Sequence, residues 1–412
     1  NRAAPVLAAK NADSAPKARV AAVGAGPASL ACAYYLCRLG FSVTIFERRE
    51  AGGGMARYGI PDYRLPPQVL EQELQLVRAL GCDIRYGVDV GRDISLRDLQ
   101  DQGFAALFIG AGAPDAPGMR CEGEEVCTEG YISGIEYLSE ASLGRRACSG
   151  RRLVVVGGGN VAMDCVRTAL RHGFSDVQLL YRRTEQEMPA DKAEIEEARE
   201  EGAHFNFLAA PLRILSRNGK VTGLVCRRMR LGEPDASGRR SPVPVEGQDF
   251  ELPCDAIIHA IGQKAALTHI LKDHGGALGA RGTLAADSIT GQTPVSAFIF
   301  GGGDCVTGPA TLVAALAAGR RAARHIAARL SGREDGPAEV EKLEAMLERL
   351  ESLDSGEEKP LPDPRPALKT RTLPLEARLA GFDEVELGAE EWEAVREAGR
   401  CLRCYRLALA LN

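Results

Sequence analysis

A glycine-rich turn near the start of the chain has the residue types that hold a diphosphate group. Gly24 and Gly26, followed by Pro27 and Ala28, form a Gly-x-Gly pattern directly after the apolar residues 19–23. The first glycine permits a tight turn, the second lets the backbone approach a pyrophosphate, and the N-terminus of a following helix favours the negative charge. The segment predicts a dinucleotide-binding turn, and the alternative is a strand-to-helix turn without a ligand.

Three later side chains could complete this first site. Glu47 lies where an acidic residue, about 20 positions after such a turn, binds ribose hydroxyls. Asp304, which follows Gly303, could accept hydrogen bonds from the ribityl hydroxyls of a flavin, and a helix beginning near Thr311 would direct backbone N–H groups at the carbonyl end of the ring. These residues predict FAD as the first ligand, and the alternative for Asp304 is an N-cap or loop aspartate.

A second glycine motif has a different sequel. Gly157 and Gly159, with Ala162 in the close-packing position, again stand between an apolar run and a helix-like segment. Where the first motif leads to an acid, this one leads to Arg182 and Arg183, and paired guanidinium groups suit the 2′-phosphate of NADPH. The motif predicts NADPH in preference to NADH, with a solvated surface as the alternative role of the two arginines.

Strands and helices must position these residues. Short apolar runs typical of buried parallel strands occur at residues 19–23, 42–47, 153–156, 177–181, 255–260 and 297–300. Helix-like segments after the two glycine turns complete two βαβ units. The predicted fold class is therefore α/β, with two Rossmann-like dinucleotide-binding domains and a small C-terminal appendage.

Composition narrows the classes of function. A formal net charge of −5 over 412 residues gives no indication of a nucleic-acid partner. No apolar run approaches the roughly 20 residues that cross a bilayer, and the N-terminus lacks the apolar core of a signal peptide. Ten of the twelve cysteines have no regular spacing, which is typical of buried thiols in a reduced compartment. We expect a cytoplasmic protein without a membrane span.

The C-terminal part of the chain differs in composition. A charged helix is predicted at 339–353, a proline-rich linker follows at 359–366, and Cys401 and Cys404 form a Cys-x-x-Cys pair. Two such cysteines supply half of the ligands of an iron–sulfur cubane, so a partner or other residues would complete the set. A Cys₄ zinc site and a redox pair are the alternatives. No comparable pair occurs in either nucleotide domain, which disfavours disulfide reductase activity.

Longer motifs identify a family. The segments that carry the resemblance are Gly-Ala-Gly-Pro-Ala at 24–28, Gly-Gly-Gly-Met-Ala-Arg-Tyr-Gly-Ile-Pro-Asp-Tyr-Arg-Leu-Pro at 52–66, Gly-Gly-Gly-Asn-Val-Ala-Met-Asp at 157–164, Tyr-Arg-Arg-Thr at 181–184, Glu-Met-Pro-Ala at 187–190 and Gly-Pro-Ala-Thr at 308–311. Together they resemble the small subunit of NADPH-dependent glutamate synthase. Its relatives include the NADPH-binding subunit of bifurcating transhydrogenases and the FAD/NADPH part of dihydropyrimidine dehydrogenase. The resemblance spans roughly residues 18 to 330.

The resemblance implies an FAD domain interrupted by an NAD(P)H domain, with hydride passing from the nicotinamide to the flavin. The implied division is an N-terminal arm at 1–17, the FAD domain at 18–148 and 287–332, the NAD(P)H domain at 149–286 and a C-terminal appendage at 333–412. Further FAD contacts implied by the resemblance are Gly54, Met55, Arg64 and Val90. Nicotinamide nucleotide contacts implied beside the two arginines are Asn160, Val161, Ala260, Ile261 and Gly262.

One departure from the family shapes the expected partners. Family members usually have an N-terminal extension with cysteine clusters for iron–sulfur centres, and residues 1–17 contain no cysteine. We therefore expect a subunit of a larger redox complex that passes electrons to an iron–sulfur protein or ferredoxin, with a hydrogenase, formate dehydrogenase or glutamate synthase as candidate partners. The alternatives are a free-standing ferredoxin–NADP reductase and a non-catalytic assembly subunit. The chemistry resides in the flavin, so no side chain is assigned as an acid or base.

Overall fold

The computed structural model describes residues 17–235, 238–272, 278–279, 282–332 and 366–399. Its strands are β1 (Arg19–Val23), β2 (Ser42–Glu47), β3 (Asp83–Tyr86), β4 (Ala106–Ile109), β5 (Tyr131–Ser133), β6 (Arg152–Val156), β7 (Asp176–Tyr181), β8 (His204–Phe207), β9 (Ala209–Arg217), β10 (Lys220–Pro234), β11 (Arg240–Pro253), β12 (Ala256–His259), β13 (Gln292–Thr293), β14 (Ser296–Gly301), β15 (Arg371–Thr372) and β16 (Glu386–Gly388). Its α-helices are α1 (Pro27–Arg38), α2 (Met55–Tyr58), α3 (Pro67–Ala79), α4 (Leu96–Asp101), α5 (Gly134–Ser142), α6 (Asn160–Arg171), α7 (Lys192–Glu200), α8 (Asp304–Thr307), α9 (Leu312–Leu330), α10 (Leu375–Ala380) and α11 (Glu391–Ala398).

The first sheet has the strand order β13-β14-β4-β1-β2-β3 and is parallel except for β13. Strands β13 and β14 of this sheet follow all the strands of the second sheet in the chain. The chain therefore leaves this unit and later returns to it. Helices α1 and α9 pack against each other beside the sheet. Their approach is close at Gly319, where a Cβ atom would lie 2.0 Å from the carbonyl oxygen of Ala28.

The second sheet has the order β5-β12-β6-β7-β8 and is entirely parallel. One face packs against α5, α6 and α7 through buried side chains such as Val155 and Met163. The other face packs against a three-stranded antiparallel sheet of order β11-β10-β9, where Val154 meets Ile214 and Leu224. In both parallel sheets the strand order reverses beside the strand that precedes the glycine motif.

The predicted α/β class is confirmed, and the six predicted strands form within about one residue of their expected bounds. The antiparallel sheet was not predicted. Strand β11 has no buried residue and β10 is buried only at Val221 and at 223–226, and their pairing shifts between Arg227 and Met229 and between Leu231 and Pro234, so no continuous apolar alternation marks them in the sequence. The predicted helix at 339–353, Cys401 and Cys404 lie outside the described residues, and so do residues 1–16.

The described C-terminal residues 366–399 pack where the two nucleotide-binding units meet. Val385 is buried and donates its backbone N–H to the carbonyl of Tyr63 at 2.9 Å. The Phe382 ring lies 6.2 Å from the Tyr63 ring and 5.5 Å from the ring of His172 on the segment that follows α6. This segment thus contacts both units. Within the described residues, no helix has the length and apolar character that spanning a membrane requires.

Candidate functional site

A cleft of about 430 Å³ opens at the carboxyl ends of β1, β2 and β4. All the residues predicted to contact FAD line it, namely Gly24, Gly26, Pro27, Ala28, Glu47, Gly54, Met55, Arg64, Val90, Gly303, Asp304 and Thr311. Asn160 and Val161 of the second glycine motif line the same cleft. An open parallel sheet binds ligands where its strand order reverses, which here is between β1 and β4. The fold therefore brings the N-terminus of α6, which follows the second glycine turn, to the cleft of the first motif.

Glycines in this cleft leave the backbone open to a ligand. Gly24 has a φ of 84°, and a Cβ there would lie 2.9 Å from the carbonyl oxygen of Gly110. Gly54 has a φ of 53°, and its Cβ would lie 2.8 Å from the Cα of Gly26. A side chain at either position would strain the backbone. At Gly24 it would press on the loop that contains Gly110, and at Gly54 it would press on the turn that contains Gly26. The loops fit a diphosphate that approaches main-chain N–H groups.

The N-termini of α1 and α6 are suited to an anion. Their N-cap residues are Gly26 and Gly159, neither helix has a side-chain cap, and neither has an acidic residue in its first turn. By contrast, α4, α5 and α7 are capped by the side chains of Ser95, Ser133 and Asp191. The first N–H groups of a helix need partners, and an anion can supply them. Both glycine motifs therefore fit the phosphates of a dinucleotide.

Glu47 ties the first glycine loop to the loop that follows β2. The side chain is buried; Oε2 accepts the Ala25 N–H at 2.6 Å and Oε1 accepts the Arg49 N–H at 2.9 Å. A carboxylate has about four acceptor positions, so two backbone bonds leave capacity for ribose hydroxyls. The geometry suits the predicted role.

Asp304 and Thr311 have separate local roles at the other side of the cleft. Thr311 caps α9 by accepting the Ala314 N–H at 3.2 Å. Asp304 begins α8 and accepts the Ala310 N–H through Oδ1 at 3.2 Å. Burial raises the pKa of the Asp304 carboxyl above its ordinary value. Each is oriented by one backbone bond, which leaves further acceptor positions for hydroxyls of a ligand.

The second glycine loop is held from two sides. A Cβ at Gly157 would lie 2.4 Å from the carbonyl oxygen of Ala260, and one at Gly158 would lie 2.4 Å from the Tyr181 ring. On the other side, Ala190 donates its N–H to the Gly158 carbonyl at 3.2 Å. The Met-Pro-Ala motif therefore covers this loop.

Asn160 is fixed by the same covering segment. Its Oδ1 atom accepts the backbone N–H of Asp191 at 2.9 Å, and Asp191 in turn caps α7. The side-chain amide thus has a set orientation at the start of α6, where the residue lines the cleft. The other residues predicted for the nicotinamide nucleotide lie outside the lining of the cleft, namely Gly157, Gly159, Arg182, Arg183, Ala260, Ile261 and Gly262.

The two arginines predicted to bind the 2′-phosphate point to different surroundings. Arg182 is exposed. The Arg183 side chain is only 6% exposed, with Nη2 2.7 Å from Oδ2 of Asp235 and Nε 2.7 Å from the carbonyl oxygen of Arg240. The sequence predicted the same role for both arginines, whereas the structure places Arg183 against the tip of the β10–β11 hairpin. Phosphate binding by either side chain stays a prediction.

A charged contact that the sequence did not predict crosses the cleft. Nη1 of Arg64 lies 2.8 and 2.9 Å from the two carboxylate oxygens of Asp164 on α6, and Nη2 lies 2.6 Å from Glu194 on α7. Burial raises the pKa of Asp164 to about 7, although the Arg64 charge opposes that rise. Arg64 and Asp164 both line the cleft. In the sequence, Asp164 stands out only as the last residue of the motif at 157–164, and no role was predicted for it.

Behind this contact lies a buried network of charges. Glu201 accepts hydrogen bonds from Arg167 at 2.9 and 3.1 Å and from Arg171 at 2.6 and 2.9 Å. The Tyr63 ring, next to Arg64 in the chain, is stacked on the Arg171 guanidinium at 3.9 Å. Its hydroxyl is buried and has no hydrogen-bond partner among the residues that the structure describes. The network ties the loop before α3 to α6 and α7, so it holds the two units in register.

The cysteines of the described residues give no sign of disulfide or metal chemistry there. All are free thiols, and all except Cys127 are buried. Within the same described ranges, no group of three or more histidine, cysteine or acidic side chains is placed to hold a metal ion.

The sequence is similar to those of several known proteins. The sequence pattern of the pyridine nucleotide-disulphide oxidoreductases matches residues 18–319. The chain is 42% identical over 392 residues to the NADP(+)-dependent formate dehydrogenase subunit beta of Moorella thermoacetica, covering 95% of this chain and 55% of that one. It is 43% identical over 424 residues to the NADPH-Fe(3+) oxidoreductase subunit beta of Geobacter sulfurreducens, covering 95% and 62%. It therefore spans little more than half of these two relatives.

A third relative and two solved structures extend the comparison. The glutamate synthase [NADPH] small chain of Escherichia coli is 36% identical over 319 residues, covering 74% of this chain and 67% of that one. Mycobacterium tuberculosis FprA in complex with NADPH has a TM-score of 0.66 at 18% identity, covering 80% and 89%. T. acidophilum thioredoxin reductase has a TM-score of 0.57 at 20% identity, covering 75% and 97%. The two structures share the fold.

Proposed function

The chain belongs to the pyridine nucleotide-disulphide oxidoreductase family, and from that premise we propose that it passes electrons from NADPH, through FAD, to an iron–sulfur acceptor on another subunit. The predicted resemblance to the glutamate synthase small subunit is confirmed at 36% identity. Flavin-linked NAD(P)H oxidoreduction is the chemistry of the chain, with FAD and NADPH as cofactors. The paths by which electrons enter and leave are the proposal.

One observation supports the proposal most strongly: Asn160 and Val161 at the N-terminus of α6 line the cleft that the first glycine motif opens into. A nucleotide held on the second motif would therefore have its nicotinamide beside the flavin. Proximity of this kind is the main contribution a protein makes when a cofactor carries the reaction.

The side chains of the cleft would bind and orient the two cofactors. Glu47 and the loop of Gly24 and Gly26 would hold the adenosine diphosphate part of FAD, while Asp304 and the capped end of α9 would bind the ribityl chain and the ring. FAD held by these residues would supply two-electron chemistry toward the nicotinamide and one-electron chemistry toward the next carrier. Arg64 lies between the two motifs and, with Asp164, would hold their relative position.

The domain assignment is part of the proposal. Residues 18–148 and 287–332 would form the FAD domain and 149–286 the NAD(P)H domain. The return of β14 to the first sheet beside β4 supports a split FAD domain. Strand β5 lies before residue 149 but pairs with β12 of the second sheet. The chain therefore crosses from the first sheet to the second before the proposed boundary at 148/149.

The electron exit is proposed to lie in a complex. Two relatives whose alignments cover 95% of this chain are named as beta subunits of redox enzymes. Cys401 and Cys404 would contribute two ligands to an iron–sulfur cluster completed by a partner, as the close spacing suits. A free-standing ferredoxin–NADP reductase is the second candidate.

Two measurements test the proposal. The purified chain, loaded with FAD under anaerobic conditions, should lose its flavin absorbance on titration with NADPH; a chain that retains FAD and stays yellow with NADPH and NADH would overturn the electron entry. Protein purified from its native cells should co-elute with an iron-containing partner. An iron-free monomer that reduces ferredoxin would overturn the complex.

A further inference from the structure

The loop that follows β7 is anchored by the tip of the β10–β11 hairpin. Arg183 turns its guanidinium into the hairpin, where the 6% exposed side chain makes an ion pair with Asp235 and a hydrogen bond to the Arg240 carbonyl, both at 2.7 Å. Its neighbour Arg182 is exposed. Arg182 also directly follows Tyr181, whose ring packs on Gly158 of the second glycine motif. The anchor is therefore one residue away from the side chain that faces solvent beside the nucleotide loop.

Asp235 has two oxygens with two tasks. Oδ2 pairs with Arg183, while Oδ1 accepts the backbone N–H of Arg239 at 3.3 Å and so stabilises the turn of the hairpin. The same turn is closed by the Asp235 N–H, which donates to the Arg239 carbonyl at 2.7 Å. Arg240 adds side-chain bonds to the carbonyls of residues 231 and 232. The carboxylate is thus itself bonded to the backbone of the hairpin, and it binds Arg183.

A second link joins the same loop to the hairpin through the backbone. Leu208 has a φ of 53°, which is uncommon for a branched side chain, and its N–H donates to the Arg183 carbonyl at 3.1 Å. The Leu208 carbonyl accepts the N–H of Met229 on β10 at 2.8 Å. The side chain of Arg183 is therefore bound to the hairpin directly, and its main chain is linked to β10 through Leu208.

We infer that Asp235 is a positioning residue for nucleotide selection: it fixes Arg183 as an anchor, and Arg182 alone reads the 2′-phosphate. A nearly buried guanidinium does not leave its carboxylate readily, because an unpaired buried charge is strongly destabilising. The Arg183–Asp235 pair is neutral as a whole, which leaves Arg182 as the positive charge of the loop. This inference rests on the proposed NADPH site and adds the hairpin as the element that sets its specificity.

Adenosine fragments test the inference without flavin chemistry. Isothermal titration calorimetry measures binding of 2′,5′-ADP, which has the 2′-phosphate, and of 5′-AMP, which lacks it. Asp235→Asn should weaken 2′,5′-ADP about tenfold, equal to about 1.4 kcal/mol, and change 5′-AMP by less than about twofold. Asp235→Glu, which keeps the charge, should restore most of the selectivity. Asp249→Asn is the matched control because it breaks the exposed Arg227–Asp249 pair on the same hairpin, and it should change neither ligand.

The outcomes separate this inference from the proposed function. If the wild-type chain prefers 2′,5′-ADP and Asp235→Asn keeps that preference in full, the role of Asp235 is overturned while the NADPH site stands. Tighter binding of 2′,5′-ADP by Asp235→Asn would also overturn it, since Asp235 would then compete with the phosphate for Arg183. A wild-type chain without preference between the fragments would overturn the 2′-phosphate site and the inference together. Thermal unfolding of each variant identifies those that fold, and Asp235→Glu provides the comparison where Asp235→Asn does not.

Discussion

Arg64 and Asp164 join the two nucleotide-binding units by a two-point contact, with Nη1 2.8 and 2.9 Å from the carboxylate oxygens. Arg64 follows the Tyr-Gly-Ile-Pro segment beside the flavin loop, and Asp164 lies on α6, whose N-terminus holds the second glycine motif. Both line the cleft where flavin and nicotinamide would meet. The relative position of the two proposed ligands would therefore depend on this contact and on the buried network behind it.

Asp164 should make stability depend on pH. Its folded-state pKa is about 7, whereas an unfolded Asp titrates near 3.9, so between these values the folded protein binds the additional proton. The folded state therefore loses stability as pH rises from about 4 to 7. Thermal midpoints measured from pH 5 to pH 8 should fall more steeply for the wild type than for Asp164→Asn. Parallel curves for the two proteins would contradict the raised pKa.

Glu47 should control FAD affinity. Glu47→Ala removes two bonds to backbone N–H groups and the acceptor proposed for ribose, and should weaken FAD by about 10- to 100-fold, on the scale of one or two charged hydrogen bonds. Glu47→Gln keeps a neutral acceptor and should lie between this variant and the wild type. Titration of the apoprotein measured by flavin fluorescence gives the dissociation constants. The control is Glu50→Ala at an exposed position, and an equal effect of both alanine variants would refute the role of Glu47.

Arg182 should determine the preference for NADPH. Arg182→Ala should raise the KM for NADPH about 10- to 100-fold, because a charge-assisted contact to phosphate is lost, and should leave the KM for NADH and kcat nearly unchanged. Steady-state reduction of an artificial acceptor by each nucleotide measures the ratio. Arg217→Ala, at an exposed position on β9, is the control. Equal losses with both nucleotides would argue against recognition of the 2′-phosphate by this side chain.

Gly319 should be essential for the packing of α9 on α1. An alanine there would place Cβ 2.0 Å from the Ala28 carbonyl oxygen, so the helices would have to separate next to the first glycine loop. We expect Gly319→Ala to lower the free energy of unfolding by about 1–3 kcal/mol and to weaken FAD retention. Gly381→Ala is the control, since its backbone is extended and its Cβ would meet no atom within 4 Å. Unchanged urea midpoints for Gly319→Ala would rule out the close approach.

The sequence predicted the parts of the site whose residue types form a local pattern, even where two such patterns, at Gly24 and at Asp304, lie far apart in the chain. Each glycine turn, its preceding strand and its helix lie within a few tens of residues, so the order of residue types specifies them. The Arg64–Asp164 contact joins positions 100 apart, and the Arg183–Asp235 pair joins positions 52 apart. Neither follows from spacing, because tertiary packing alone brings these side chains together. The sequence accordingly identified the arginine loop but not the hairpin against which one of its two guanidiniums lies.

In the proposed function, hydride passes within this cleft, from a nucleotide on the second glycine motif to FAD on the first. Anaerobic stopped-flow reduction of the FAD-loaded chain by NADPH and by NADPH deuterated at C4 measures that step. The account predicts rapid loss of the flavin band and a slower rate with one C4-deuterated stereoisomer, with Arg182→Ala requiring more NADPH to reach the same limiting rate. Retained flavin absorbance with either nucleotide, in a chain shown to hold FAD, would contradict it.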